Sequence, residues 1–426
     1  MKILVFNPGS NSLKAGVVRC DPAQQTAADG EKLVEIICEG IGKQAKLSLY
    51  RGKNIASSEP IAARDFGEAA ASILEWLGRR ESASGSEHER PGHELDGVDC
   101  ACIRVVHGGA RFREPVEIAA DVEREIAELG KWAPLHNRRS VEILPPLRER
   151  LAQTPIFAAF DTAFHRTIPD TAALYAIPVD LSQKHGVRRY GFHGLSHRYL
   201  MERYAQIVGR SPGELNLVTL HLESGCSATA IARGRSIDNT MGLTPLEGLM
   251  MGTRCGDVDP ALPAFLMQAE HIGINEAMDI LEKQSGLLGI SGKSLDTRVL
   301  MRDYDTDERV RLAMEMFSYR VLKAVGSYLA VLGGAHALIF GGGIGENTVL
   351  VRQRVCEGLG WCGLKLDPEK NKSVIDVEGS ISTDDSRLHA YVIPVEETLQ
   401  IAHECCRVLA ARDETIHRDR ALSPVS

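Results

Sequence analysis

The chain has 426 residues, about three times the common domain size, so two domains with large cores are expected. It carries a formal net charge of −8, with 49 Lys and Arg interleaved among 57 Asp and Glu. That balance argues against a nucleic-acid or anionic-membrane surface as the main partner and is the one expected of a soluble cytoplasmic protein.

The N-terminus MKILVFNPGS has an apolar run too short for a signal-peptide core, and no later stretch reaches membrane-spanning length. Residues 2–18, KILVFNPGSNSLKAGVV, predict a strand, a turn and a second strand. The turn offers the Asn7 amide, the Ser10 and Ser12 hydroxyls, backbone N–H groups and, just beyond it, the Lys14 ammonium. These groups suit phosphate oxygens and the water around Mg²⁺, although a Ser, Asn and Gly hairpin is more often only a turn. Helical spacing of apolar residues predicts a helix over 66–77, FGEAAASILEWL. The polar segment 79–93, RRESASGSEHERPGH, predicts an exposed loop rather than a domain linker, because the strand-like VDCACIRVV follows it directly.

That strand delivers Arg104 into RVVHGGARF, and FDTAFH brings Asp161 and His165. In GFHGLSH, His193 and His197 are four apart, but Gly191 and Gly194 disfavour a helix there, so a zinc pair is not expected. His197 is expected to be a satisfied structural histidine. Residues 215–232, LNLVTLHLESGCSATAIA, repeat the strand–turn–strand pattern of the N-terminus about half a chain later, which suggests two related α/β domains facing one cleft. MGTRCGDVDP sets Arg254 in a turn rich in Gly and Asp. A long helix is predicted over 307–332, a buried strand ending in glycines over 337–348 (ALIFGGGIGENT), and a helix over 397–412 with a frayed end beyond it. The glycine run lacks the Lys-Ser/Thr of a P-loop and has no dinucleotide fingerprint.

The ten cysteines include no CxxC pair and no zinc spacing, so reduced thiols are expected. A lone arginine is ordinarily a surface charge. Two arginines in Gly-bounded turns, with a carboxylate and a histidine pair, form a set that can stabilise a transferring phosphoryl group.

Eight motifs in order, NPGSNSLK, RVVHGG, APLHN, FDTAFHRTIP, RRYGFHGLSHRY, TPLEGLMMGTRCGDVDP, GGGIGEN and IPVEET, resemble the acetate kinase family of the actin-like, sugar-kinase and Hsp70 superfold. The resemblance covers the chain nearly end to end. It implies an α/β fold of two related actin-like (ribonuclease H-like) domains facing a central cleft. Residues 1–163 plus 396–426 would form the N-terminal domain and 164–395 the C-terminal, nucleotide-binding domain. It implies a homodimer that transfers the γ-phosphoryl group of ATP reversibly and in line to acetate, with Mg²⁺ or Mn²⁺, giving acetyl phosphate and ADP.

Carried onto this chain, the resemblance gives Asn7 and Glu397 to the metal, and Lys14, Ser10 and Ser12 to the phosphate end of the nucleotide. Arg104 and Arg254 would grip the substrate carboxylate and the migrating phosphoryl group, with His193 stabilising the transition state. Asp161 would position metal or substrate; a carboxylate is ionised at pH 7, so no general base is required. His221, Leu222, Glu223, Ser224 and Gly225 would form the second phosphate hairpin. Asp296, Thr297 and Arg298, with Gly343, Ile344, Gly345, Glu346 and Asn347, would contact adenine and ribose. Val106, Leu135, Phe192 and Pro245 would line an acyl pocket with room for one methyl group. One methylene is worth about 1–3 kcal/mol, so acetate is favoured over propionate without excluding it.

The chain departs from the family pattern at four places. Glu223-Ser224 replaces Gly-Asn in the second hairpin, Asn137-Arg138-Arg139-Ser140 replaces Asn-Pro-x-Asn, Ile103 replaces a His, and Val395-Glu396-Glu397-Thr398 replaces Thr-Asn-Glu-Glu. Glu223 near a phosphate would weaken or alter the donor site unless its side chain turns away. Two alternatives follow: a propionate or butyrate kinase or one with another phosphoryl donor, and a weakly active paralogue that binds nucleotide or a protein partner.

Overall fold

A computed structural model describes residues 1–24, 26–52, 54–78 and 94–422, apart from the side chains of 51, 134, 135 and 413–422. The predicted loop 79–93 lies outside the described residues. The chain divides into two compact units, one formed by Met1–Ala163 with Glu396–Ser426 and the other by Phe164–Val395.

In the first unit, eight strands form one sheet: β1 (Lys2–Pro8), β2 (Ser12–Arg19), β3 (Glu31–Glu39), β4 (Lys46–Arg51), β5 (Asn54–Pro60), β6 (Cys100–Val105), β7 (Val116–Glu117) and β8 (Ile156–Phe160). Their order is β5-β4-β3-β2-β1-β6-β8-β7. β1, β6 and β8 run parallel and are almost wholly buried, which is why they read as continuous apolar runs rather than alternating ones. The helix Phe66–Gly78 buries Phe66, Ala69, Ala70, Ile73, Leu74 and Leu77, the three- and four-residue spacing that presents one apolar face to the core.

In the second unit, β9 (Asn216–Leu222), β10 (Cys226–Ala232), β11 (Arg235–Asn239), β12 (Ala337–Gly341), β13 (Gly379–Ser380) and β14 (His389–Val392) form a six-stranded sheet in the order β11-β10-β9-β12-β14-β13. The helix Glu308–Leu332 begins on an Asp307 side chain that accepts from the Arg309 and Val310 N–H groups and stops at Gly333, φ +65°.

The internal repeat is visible in the topology. In each sheet an antiparallel trio (β3-β2-β1, then β11-β10-β9) is followed by two parallel strands (β6-β8, then β12-β14) and a short antiparallel edge strand (β7, then β13). Both phosphate-type hairpins therefore occupy the same place in their own sheets.

Three local expectations are revised. Gly194 does not prevent a helix, because it stands at the first position of Gly194–Ile207, directly after His193, where the interior penalty of glycine does not apply. The C-terminal helix runs further than its apolar pattern, over Glu397–Leu422. Cys102 on β6 and Cys405 on that helix are disulfide-bonded across a sequence separation of 303 residues, a pairing that local spacing cannot reveal. Among the described residues no helix is long and apolar enough to cross a membrane.

Candidate active site

In the first unit the parallel strands deliver the predicted residues. Phe6 pairs with Ile103 across β1 and β6, and Val105 with Phe160 across β6 and β8, so Asn7, Arg104 and Asp161 stand at neighbouring C-terminal strand ends, where open α/β sheets bind ligands. Arg104 donates from Nε to Asp161 Oδ1 at 2.9 Å and from Nη2 to Oδ2 at 2.7 Å. Its Nη1 donates to Asn7 Oδ1 at 3.0 Å and to Glu397 Oε2 at 3.1 Å, while Asn7 Nδ2 donates to the same Glu397 oxygen at 2.7 Å. The Arg104 and Asp161 side chains are 11% and 1% exposed, so the fork is held in low dielectric by paired, hydrogen-bonded charges. Glu397 is the first residue of its helix, where the N–H groups of the opening turn favour a carboxylate.

In the adjoining hairpin the Gly9 N–H donates to the Ser12 carbonyl at 2.8 Å, and Lys14 is the direct cross-strand partner of Asn7. Cross-strand partners share a face of the sheet, so Asn7, Ser12 and Lys14 project together. Lys14 is exposed and makes no ion pair among the described residues, whereas Ser10 is exposed and Ser12 half-buried. Val106 is buried just beyond β6; the Leu135 side chain lies outside the described residues.

The second unit gathers the other set. β9 and β12 are parallel, with His221 opposite Gly341, so their C-terminal ends place the hairpin Glu223–Gly225 beside the glycine run. Gly342 has φ +76°, and a Cβ there would stand 2.7 Å from the Leu222 carbonyl oxygen, so only glycine fits. A Cβ on buried Gly225 would meet His193 Nε2 at 3.4 Å and Arg254 Nη1 at 3.5 Å. Hairpin, histidine and arginine therefore converge on one backbone position. The Gly252 N–H donates to the Ser224 carbonyl at 3.1 Å, tying the Arg254 loop to the hairpin.

Arg254 Nη1 donates to the Pro245 carbonyl at 2.8 Å, and the guanidinium makes no ion pair among the described residues, while burial lowers its pKa from the ordinary value. An uncompensated, desolvated cation of this kind favours an anionic ligand. His193 has φ +56°, a strained value for a side chain that cannot relax as glycine does, and its Nδ1 lies 2.9 Å from Ser227 Oγ. Ser227 Oγ is also 2.7 Å from His197 Nε2, and His197 Nδ1 is 2.8 Å from Thr219 Oγ1. Ser227 has one hydroxyl proton to give, so it donates to at most one of the two imidazoles and at least one ring nitrogen donates to it, which couples the two tautomers. His197 is wholly buried and fully bonded, the structural histidine expected of it, and burial holds its pKa well below the usual range.

Phe192, buried, precedes His193, and its carbonyl accepts from His165 Nε2 at 2.9 Å, with His165 Nδ1 2.8 Å from Ser236 Oγ. Burial pushes the His165 pKa down to about 4, so the ring is neutral and rigidly placed. His221 is buried, its ring centroid 4.4 Å from that of His193, and the exposed Glu223 carboxylate stands 3.7 Å from His221 Nε2. Thr297 Oγ1 is 3.1 Å from Thr348 Oγ1, which joins the Asp296–Arg298 turn to the segment Gly343–Asn347. Asp296 caps that turn by accepting from the Arg298 N–H and pairing with its guanidinium. Glu346 does not face outward; its Oε1 accepts from the Val395 N–H at 3.2 Å, and burial raises its pKa.

Ser227 and Ser140 were not identifiable as site residues from the sequence. Only tertiary contact reveals them: Ser227 Oγ beside His193 Nδ1, and Ser140 Oγ donating to the Arg104 carbonyl at 2.9 Å.

A family model for the acetokinase family matches residues 2–403. The chain belongs to the acetokinase family. It is 41% identical over 413 residues to an acetate kinase of Solibacter usitatus, covering 96% of this chain and 98% of that one, and 40% identical over 405 residues to an acetate kinase of Clostridium novyi, covering 95% and 97%. Among solved structures it is similar to the acetate kinase of Porphyromonas gingivalis, with a TM-score of 0.85, 34% identity and coverage of 96% of this chain and 99% of that one. It is similar also to a propionate kinase of Francisella tularensis, with a TM-score of 0.84, 35% identity and coverage of 95% and 98%. These relatives share the mixed α/β fold built on two sheets.

Proposed function

We propose that this acetokinase-family member is an acetate kinase that transfers the ATP γ-phosphoryl group directly to acetate. The observation that carries the reading is the convergence of His193, Arg254 and the second hairpin at Gly225. In the transfer an acetate oxygen attacks γ-phosphorus as the bond to the β-phosphate oxygen breaks, and ADP leaves. No proton moves, so the protein needs positive charge and hydrogen-bond donors rather than a base.

Arg254 supplies a desolvated charge to the migrating phosphoryl group and His193 a donor oriented by Ser227. Arg104 serves the carboxylate, with Asp161 as its orienting partner rather than a proton acceptor: a carboxylate already bonded to both sides of a guanidinium fork is a poor base. Ser10, Ser12 and Lys14, and in the second unit His221–Gly225, take phosphate oxygens; Asp296–Arg298 and Gly343–Asn347 take the nucleoside. Phe192 and Pro245, with Val106 and Leu135, set the size of the acyl group.

Asn7, Glu397 and Asp161 present only oxygen donors besides the Asn7 amide nitrogen, and among the described residues no cluster of three His, Cys, Asp or Glu is arranged as a metal cage. That set fits Mg²⁺, which keeps most of its waters and takes one or two carboxylates beside substrate phosphates. Asn7 and Glu397 would hold it, and when bound it would supply charge neutralisation at phosphoryl oxygens.

A homodimer is part of the same reading. Leu312, Tyr319 and Val331 on the helix Glu308–Leu332 and Phe265 on the helix Leu262–Ala269 are between 51% and 63% exposed, apolar groups of the kind that a second copy would cover. ATP as co-substrate supports a cytoplasmic location as part of this reading. The test is acid-dependent ADP release: acetate should stimulate ADP formation from ATP and Mg²⁺, and equal release with and without any short carboxylate would refute the reading.

A further inference from the structure

The helix Pro134–Glu142 does more than cover the first sheet. Asn137 accepts the His107 N–H on Oδ1 at 3.0 Å and donates from Nδ2 to the His107 carbonyl at 3.0 Å, while Ser140 Oγ donates to the Arg104 carbonyl at 2.9 Å. Between them Arg139 Nη1 reaches across 130 residues of sequence to donate to the Gly9 carbonyl at 3.0 Å. Its guanidinium lies over the Phe66 ring, 5.1 Å from the centroid, and makes no ion pair among the described residues. The neighbouring Arg138 is instead exposed and paired with Glu142 at 2.9 Å.

What Arg139 holds is the orientation of one peptide. In a planar trans peptide the carbonyl of Gly9 and the N–H of Ser10 point in opposite directions, so a guanidinium that fixes the Gly9 oxygen fixes the Ser10 N–H as well. The same turn is closed by the Gly9 N–H on the Ser12 carbonyl, and a Cβ on Gly9 would stand only 3.0 Å from Ser12 Oγ, so the anchored peptide and the Ser12 hydroxyl lie close together in one turn. Left unanchored, the Gly9 carbonyl can rotate towards an anion bound by the turn and repel it. An Arg over an aromatic face, bonded to a carbonyl, is a stiff anchor for that peptide.

We propose that Arg139 is a positioning residue for the phosphate-binding turn, holding the Gly9–Ser10 peptide so that the Ser10 N–H faces phosphate oxygens of the nucleotide. The inference rests on the acetate kinase reading, in which that turn binds the phosphates of ATP. Its test uses the full-length protein with Arg139→Met, Arg139→Lys and, as a charge control on the same helix, Arg138→Gln. Arg139→Met should raise the KM for ATP about tenfold, equivalent to about 1.4 kcal/mol, and leave the KM for acetate within about twofold. Arg139→Lys, which keeps a donor for the carbonyl, should recover about half of that loss on a logarithmic scale, and Arg138→Gln should match the native enzyme.

An ATP KM within about twofold of native in Arg139→Met, an equal rise for both substrates, or an Arg138→Gln effect as large as that of Arg139→Met would overturn the proposal. If Arg139→Met does not fold, the decision passes to Arg139→Lys alone: an ATP-selective rise of about threefold supports the role, and unchanged or unselective constants overturn it. Inactivity of the native protein with every acid would instead remove the underlying reading, so the two failures are distinguishable.

Discussion

Asp161 holds both arms of the Arg104 guanidinium fork, Oδ1 at 2.9 Å from Nε and Oδ2 at 2.7 Å from Nη2. Asn7 and Glu397 complete the surroundings of the same group, so the cation is presented in one orientation by three strand ends and a helix start.

Asp161→Asn should therefore impair Arg104 without removing it. One amide oxygen cannot serve both Nε and Nη2, and the uncharged group no longer balances the guanidinium. The expected outcome is a loss of about 10²–10³ in kcat/KM for acetate, with a lower melting temperature because a buried charge loses one of its two carboxylate partners. Steady-state kinetics and thermal melts check this; native kinetics in the variant would show that the pair is dispensable.

Glu223→Gly should lower the KM for ATP. The Glu223 carboxylate is solvent-exposed and stands beside His221 in the second hairpin, adding negative charge to the turn that the proposed function assigns to phosphate oxygens. Because the group is exposed, the gain should shrink at about 0.5 M salt. An unchanged KM at low ionic strength would show that this carboxylate has no bearing on the donor.

Ser227→Ala should act at two distances. It releases His193 Nδ1, whose orientation then relaxes, and it leaves His197 Nε2 buried without its 2.7 Å partner. The expected result is a fall in kcat of about tenfold together with roughly 1–3 kcal/mol of lost stability, measured by turnover and by urea denaturation. Loss of stability with unchanged kcat would separate His193 from catalysis.

The buried histidines set an acid limit. His165 has its pKa lowered by burial to about 4, against about 6.5 in an unfolded chain, and His197 is lowered in the same direction. Between those values the unfolded chain binds a proton that the folded chain does not, so stability falls as pH drops from about 6.5 to about 4 and levels off above 6.5. For His165 the loss is roughly 3 kcal/mol. Melting temperatures measured from pH 4 to 7 should show the fall, and His165→Gln, though less stable at pH 7, should show a shallower one; an equal slope in both would remove His165 from the account.

Much of the architecture was legible because it is written in local pattern. The buried runs of β1, β6, β9 and β12 and the two hairpins announce themselves by apolar length and by the small residues that end them. The helix Phe66–Gly78 follows from its spacing. The helix start at Gly194 was hidden because glycine lowers helix propensity in the interior but not at the first turn, and propensity alone does not register position. The candidate residues stand out through their motifs, whereas the groups that orient them do not. Ser227 against His193, Arg139 against Gly9 and Cys102 against Cys405 are contacts between residues far apart in sequence, fixed only when the sheets form.

The most direct test is trapping of the acyl phosphate as its hydroxamate after incubation of the native protein with acetate, ATP and Mg²⁺. Acetyl hydroxamate should accumulate in step with ADP, more efficiently than propionyl hydroxamate in kcat/KM, and should be nearly abolished in Arg254→Ala. No hydroxamate from acetate, or the same yield from Arg254→Ala as from the native protein, would contradict the assignment of acetate kinase activity to this site.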